Sequence, residues 1–116
     1  MPVPKNPVLR ILASLLRQSA RGTDIVARYG GEEFAVILPE SSSTGALLMA
    51  ERIRTSLAAV NFSPLPERVE HLTVSIGVYT SEAGGATVDT IVTMADEAAY
   101  RAKKDGKNRV IVRAGK

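Results

Sequence analysis

Apolar positions along the chain recur with two different periods, and the changes of period divide it into elements. Asn6-Pro7 reads as a helix start, an N-cap residue followed by proline at the first helical position. Val8, Leu12, Leu15 and Ser19 then fall on one face, with Ile11 and Leu16 flanking it, and the helix is expected to end near Arg21-Gly22. The runs DIVARY and EFAVIL read as strands. Gly30-Gly31 between them predicts a hairpin with a two-residue turn. The turn-rich PESSSTG carries the N-cap of a second helix, in which Ala46, Ala50, Ile53 and Leu57 recur inward while Glu51, Arg52 and Arg54 face outward.

With two prolines, NFSPLPERVE reads as a loop. LTVSIGVYT alternates as a strand does, and SEAGGAT is loop. A third helix is expected from Val88 to Lys104, with Val88, Ile91, Ala95, Ala98 and Ala102 inward and Gly106 as its stop. RVIV closes the chain's pattern as a strand. The order α-β-β-α-β-α-β is that of an α+β fold, an antiparallel-rich sheet with helices on one or both faces. Phe34, Met94 and Tyr100 read as core or core edge, and the lone His71 as a solvated residue at a strand start.

Composition narrows the class. The 116 residues suit one domain with a real core, and 45% of them are hydrophobic. There is no apolar run long enough to span a membrane and no signal-peptide pattern near Met1. The absence of cysteine excludes disulfides and thiolate metal sites and fits a reducing cytoplasm. A net charge of +3 suits an anionic partner, but aromatics at 4% leave little to stack on nucleic-acid bases. A small polyphosphate ligand fits this balance, and no nucleic-acid partner is expected.

The stretch RYGGEEF carries the candidate chemistry. Gly30 and Gly31 lack the Cβ atoms that keep a ligand from the backbone. Glu32 and Glu33 beside them can hold Mg²⁺, which takes a few carboxylates together with phosphate oxygens. Lys103, Lys104 and Lys107 can supply cations to those phosphates. From spacing alone two readings stand: a nucleotide-metal site, or an ordinary hairpin with solvated acids and a helix end whose lysines complement its dipole.

Four blocks in order, RYGGEEF with ILPES, MAERIR, LTVSIGV and ADEAAYRAKKDGKNRV, resemble the GGDEF domain of diguanylate cyclases in its Glu-for-Asp form. The resemblance runs from about Val8 to Val112. It implies a nucleotidyl-cyclase-like, ferredoxin-like-derived sheet flanked by helices, and a reaction in which two GTP molecules are joined into cyclic di-GMP with Mg²⁺ or Mn²⁺ by two domains meeting face to face as a homodimer. It makes Glu32 the catalytic and metal-binding carboxylate and Glu33 its support at the metal. Gly30, Gly31, Lys103 and Lys107 become substrate-binding. Lys107 stands where arginine is usual, so a bidentate grip becomes a point charge. Arg21 and Asp24 of RGTD fall at the family's RxxD product-inhibitory site, and Arg52 matches a further arginine some members use there. Arginine suits phosphate and the guanine face, and a carboxylate suits guanine N–H groups. The plain alternative is a salt bridge after a helix end.

The chain also departs from the pattern. The D-x-D strand, F-K-x-x-N-D and G-H-x-x-G-D motifs of the full domain are absent. Asn6 falls where the last Asp belongs and Lys5 where a Gly does. The expectation is one GGDEF domain over residues 1–116, truncated at its N-terminus and lacking the central strand between the hairpin and LTVSIGV. A fragment of a longer cyclase, an inactive domain that binds cyclic di-GMP through RxxD, and a strand lent by another chain are the three explanations.

Overall fold

Asn6 opens helix α1 (Pro7–Ser19) as expected, its Oδ1 accepting from the backbone N–H of Val8 at 2.9 Å and of Leu9 at 3.4 Å. The computed structural model describes residues 6–28, 33–65, 68–81 and 87–113. The face α1 buries is Leu9, Ala13 and Leu16, whereas Val8, Leu12, Leu15 and Ser19 are only half-buried. The helix is therefore rotated by one residue, about 100°, from the face the periodicity suggests. Leucines occur around most of α1, so small Ala13, where the neighbouring helix can come close, breaks the tie.

Strands β1 (Ile25–Arg28) and β2 (Phe34–Ile37) form the expected antiparallel hairpin, with Arg28 opposite Phe34 and Ile25 opposite Ile37. A two-residue turn at Gly30-Gly31 would instead set Arg28 opposite Glu33. The register is one residue away from that expectation, and the strands are joined by an odd number of residues centred on position 31. A one-residue difference exchanges the two faces of a strand. Here it packs Phe34 and Val36 against the core. Gly30, Gly31 and Glu32 lie outside the described residues.

Helix α2 (Ser43–Ala58) is capped by Ser42, whose Oγ accepts from the Gly45 N–H at 3.0 Å. Met49, Ala50, Ile53 and Leu57 are buried. Leu16 of α1 joins Met49 and Ile53 in one core cluster, and Val26, Phe34, Val36 and Ile76 pack on it from the strands. The segment expected to be loop is instead a hairpin, β3 (Asn61–Leu65) and β4 (Arg68–His71). Its register shifts between Phe62 and Leu65, across Pro64. Proline lacks the ladder donor and is tolerated where pairing is interrupted, so it marked an irregular strand rather than none. His71 is exposed at the end of β4, not at a strand start.

Strand β5 (Ile76–Tyr79), helix α3 (Val88–Lys104) and strand β6 (Val110–Arg113) form one unit, with β5 and β6 parallel and α3 the crossover between them. Ala98 and Ala102 of α3 are buried, and Glu97 forms an ion pair with Arg113 of β6. Val88 and Tyr100, expected inward or at the core edge, are 59% and 66% exposed. A Cβ on Gly77 would lie 2.1 Å from the carbonyl oxygen of Ala95 and 2.2 Å from the nitrogen of Ala99, so α3 rests directly on the strand backbone.

Among the described residues the strands form three separate pairs rather than one antiparallel-rich sheet. Phe34 and Val36 of β2 share a core with Ile76 at the start of β5, yet no ladder joins β1–β2 to β5–β6. That interruption lies where the resemblance places a central strand. No helix among the described residues is long and apolar enough to cross a membrane.

Candidate functional site

At the end of α1 the chain turns over Arg21–Asp24, with the Asp24 N–H donating to the Arg21 carbonyl at 2.9 Å. Asp24 Oδ2 accepts from the Arg21 backbone N–H at 2.8 Å and lies 3.8 Å from its Nε. The Asp24 side chain is 1% exposed, and its Oδ1 has no hydrogen-bond partner among the described residues. A buried carboxylate oxygen without a donor is uncommon and asks for one. Arg21 has the opposite character: its side chain is 63% exposed, and Nη2 donates to Ser41 Oγ at 2.7 Å.

These groups line a cavity of about 380 Å³ that also takes in Ser42 and Gly45 at the start of α2, and Arg52. The volume is within the range of small-ligand sites. Its lining includes Arg21 and Arg52, the start of a helix with the positive end of its dipole, and the acidic residues Asp24 and Glu40. Such a set matches a ligand having both phosphate and a pair of N–H donors. The structure thus brings Arg52, from a distant part of the sequence, to the neighbouring Arg21 and Asp24. The exposure of Arg52 expected from α2's pattern is what leaves it available to the cavity.

Ser41 and Glu40 were not singled out by the sequence, where they belong to a turn-rich stretch. The Ser41 N–H reaches the Leu38 carbonyl at 3.4 Å, and Glu40 has φ 58°. Pro39 followed by a left-handed residue is type II turn geometry, where glycine is favoured at the second position. Glu40 therefore carries backbone strain, and Glu40→Gly is expected to raise stability by about 0.5–1 kcal/mol. Urea unfolding of both proteins checks this; a lower midpoint for the glycine variant contradicts it.

The expected catalytic half is less fully described. Glu33 is exposed just before β2, and Gly30, Gly31 and Glu32 lie outside the described residues. Two neighbouring carboxylates suit Mg²⁺ chemically. The described residues hold no group of three or more acidic, histidine or cysteine side chains able to bind a metal, so they do not by themselves form its cage.

Lys103 and Lys107 are exposed at the end of α3. Gly106, with φ 125°, stops the helix, and the Lys107 N–H closes on the Ala102 carbonyl at 2.9 Å. Lys107 and Asn108 follow with φ 64° and 47°. Asn108 Oδ1 accepts from Arg54 Nη1 at 3.2 Å, and Arg54 also grips Glu51 at 3.0 and 3.2 Å. That bond from Arg54 holds the Glu51 carboxyl below the usual range, and the same bond raises Arg54. Arg54 and Glu51, expected to face outward, are half-buried in a bridge that fixes the lysine-bearing turn.

Helices packed on paired strands, with a polar cavity beside a hairpin, make this an α+β domain. The chain matches the family described as "Diguanylate cyclase, GGDEF domain" over residues 6–109, and it belongs to that family.

It is 47% identical over 106 residues to diguanylate cyclase DgcM of Escherichia coli K12, covering 91% of this chain and 25% of that protein. It is 40% identical over 110 residues to response regulator PleD of Caulobacter vibrioides, covering 94% and 24% respectively. The chain thus spans about a quarter of the length of these curated relatives.

Two solved structures superpose with a TM-score of 0.81 each. One is the coiled coil and GGDEF domain of DgcB from Caulobacter crescentus in complex with c-di-GMP, 28% identical, covering 91% of this chain and 56% of that one. The other is the active GGEEF domain of a diguanylate cyclase from Vibrio cholerae, 32% identical, covering 90% and 65%.

Proposed function

We propose that the chain is a diguanylate cyclase-type domain whose cavity at Arg21, Asp24 and Arg52 binds cyclic di-GMP. The observation that carries the reading is one cavity lined by Arg21, Asp24 and Arg52, with an Asp24 Oδ1 that has no partner among the described residues. A guanine edge supplies paired N–H donors to a carboxylate, and the phosphates of the same ligand suit arginine. The solved relative complexed with c-di-GMP lends support by likeness.

In the longer proteins of the family the corresponding reaction joins two GTP molecules across a homodimer, in the cytoplasm where GTP is available. Glu32 and Glu33 would hold Mg²⁺ or Mn²⁺ there, and the metal's chemistry is to neutralise phosphate charge and ease deprotonation of the attacking hydroxyl. Lys103 and Lys107 would take the triphosphate, with Gly30 and Gly31 leaving room for it. This chain, read as a single domain over residues 1–116, lacks the further carboxylate and the guanine readers of the full pattern. By themselves these 116 residues would position and neutralise the substrates incompletely.

The purified chain is expected to bind cyclic di-GMP while forming little or none of it from GTP and Mg²⁺. Chromatography of the reaction products checks the second part. Robust synthesis that disappears in Glu32→Gln would contradict it.

A further inference from the structure

We infer that Ser41 is a positioning residue for ligand recognition, fixing the guanidinium of Arg21 between the two walls of the cavity. The inference rests on the product-site reading above and goes beyond it by naming what holds its main cation in place.

Arg21 sits on an open turn, and a long exposed side chain there samples many rotamers. Two contacts limit it. Its base is set by Asp24, through the backbone N–H at 2.8 Å and the nearby Nε at 3.8 Å. Its far end is set by Ser41 Oγ at 2.7 Å, twenty positions along the chain. The guanidinium therefore runs from the wall that bears Asp24 to the wall formed by the start of α2. One Nη2 hydrogen is used, and the remaining Nη hydrogens can meet a phosphate or a guanine acceptor. A serine hydroxyl that accepts from arginine keeps its own proton to donate. Ser41 is itself fixed, since the turn at Pro39-Glu40 precedes it and the Ser42 cap follows. The left-handed Glu40 thus has a structural consequence: it brings the Ser41 hydroxyl back across to Arg21. Fixing the side chain before binding lowers the ordering cost when the ligand arrives.

The test is calorimetric titration of cyclic di-GMP into the full chain and into Ser41→Ala, Ser41→Thr, Ser41→Val and Arg21→Ala variants. Thermal unfolding of each controls for folding. Ser41→Ala and Ser41→Val are expected to weaken binding roughly five- to tenfold, and Ser41→Thr to stay within about twofold of the parent. Nitrogen-15 NMR adds a readout that packing alone would not move: the Arg21 guanidinium signals should show faster rotation in Ser41→Ala and parent-like rotation in Ser41→Thr. Unchanged affinity in Ser41→Ala with clear loss in Arg21→Ala overturns the inference and leaves the product site standing. Equal losses in the threonine and valine variants, or unchanged guanidinium rotation, also overturn it. No binding by the parent chain removes the product site and the inference together.

Discussion

Gly77→Ala is expected to destabilise the chain by at least about 3 kcal/mol, a large part of the roughly 5–15 kcal/mol that holds a domain folded. The added methyl would meet Ala95 O at 2.1 Å, Ala99 N at 2.2 Å and Ala98 C at 2.9 Å. All three are backbone atoms of one helix, so no rotamer change relieves the contact. Either α3 lifts from β5 or the strand moves away from β6, and both expose the surface around Ala98 and Ala102. Guanidinium unfolding followed by circular dichroism checks the effect. A midpoint within experimental error of the parent would show that α3 does not rest on this strand. Gly22, which has no atom within 4 Å of its Cβ position, is the natural control and should tolerate alanine.

Asp24→Asn is expected to weaken binding far more than it changes stability. The carboxylate now keeps Oδ2 on the Arg21 N–H and leaves Oδ1 buried without a donor. Asparagine can keep the first bond with its carbonyl, which places its NH₂ group where Oδ1 was. A guanine edge that needs an acceptor then faces a donor. A site built for one hydrogen-bonding pattern rejects the opposite one strongly, so cyclic di-GMP affinity should fall at least tenfold. Folding should change little, because the amide is neutral and cheaper to bury than a carboxylate, while its NH₂ group is left without an acceptor and the ion pair to Arg21 is lost. Titration beside thermal unfolding measures both. Unchanged affinity would mean that Asp24 caps its turn and nothing more.

Local signals made the helices legible. Asn6-Pro7, the PESSSTG stretch and Gly106 mark helix ends through groups close in sequence, and the structure places ends there. Elements decided by distant partners were less readable. The buried face of α1 depends on α2, not on its own leucines. The β3–β4 hairpin survives Pro64 because its ladder is irregular there. The hairpin register is set by an odd connection that a Gly-Gly pair does not reveal. The same division holds at the site. Arg21, Asp24 and Arg52 were found through motif register, and their convergence on one cavity is a tertiary fact. Ser41 had no sequence signal, since its partner Arg21 lies twenty positions away. The contact from Arg54 to Asn108 escaped for the same reason, since the two lie fifty-four positions apart, whereas its other partner, Glu51, is one turn away on the same helix.

Cyclic di-GMP is expected to enter the cavity between the Arg21–Asp24 turn and the start of α2. Backbone amide NMR of the nitrogen-15-labelled chain during titration with cyclic di-GMP tests it most directly. Shifts are expected to gather at Arg21–Asp24, Ser41–Gly45 and Arg52, with little change at Lys103–Lys107. Shifts confined to Glu33 and the end of α3, or none at millimolar ligand, would contradict it.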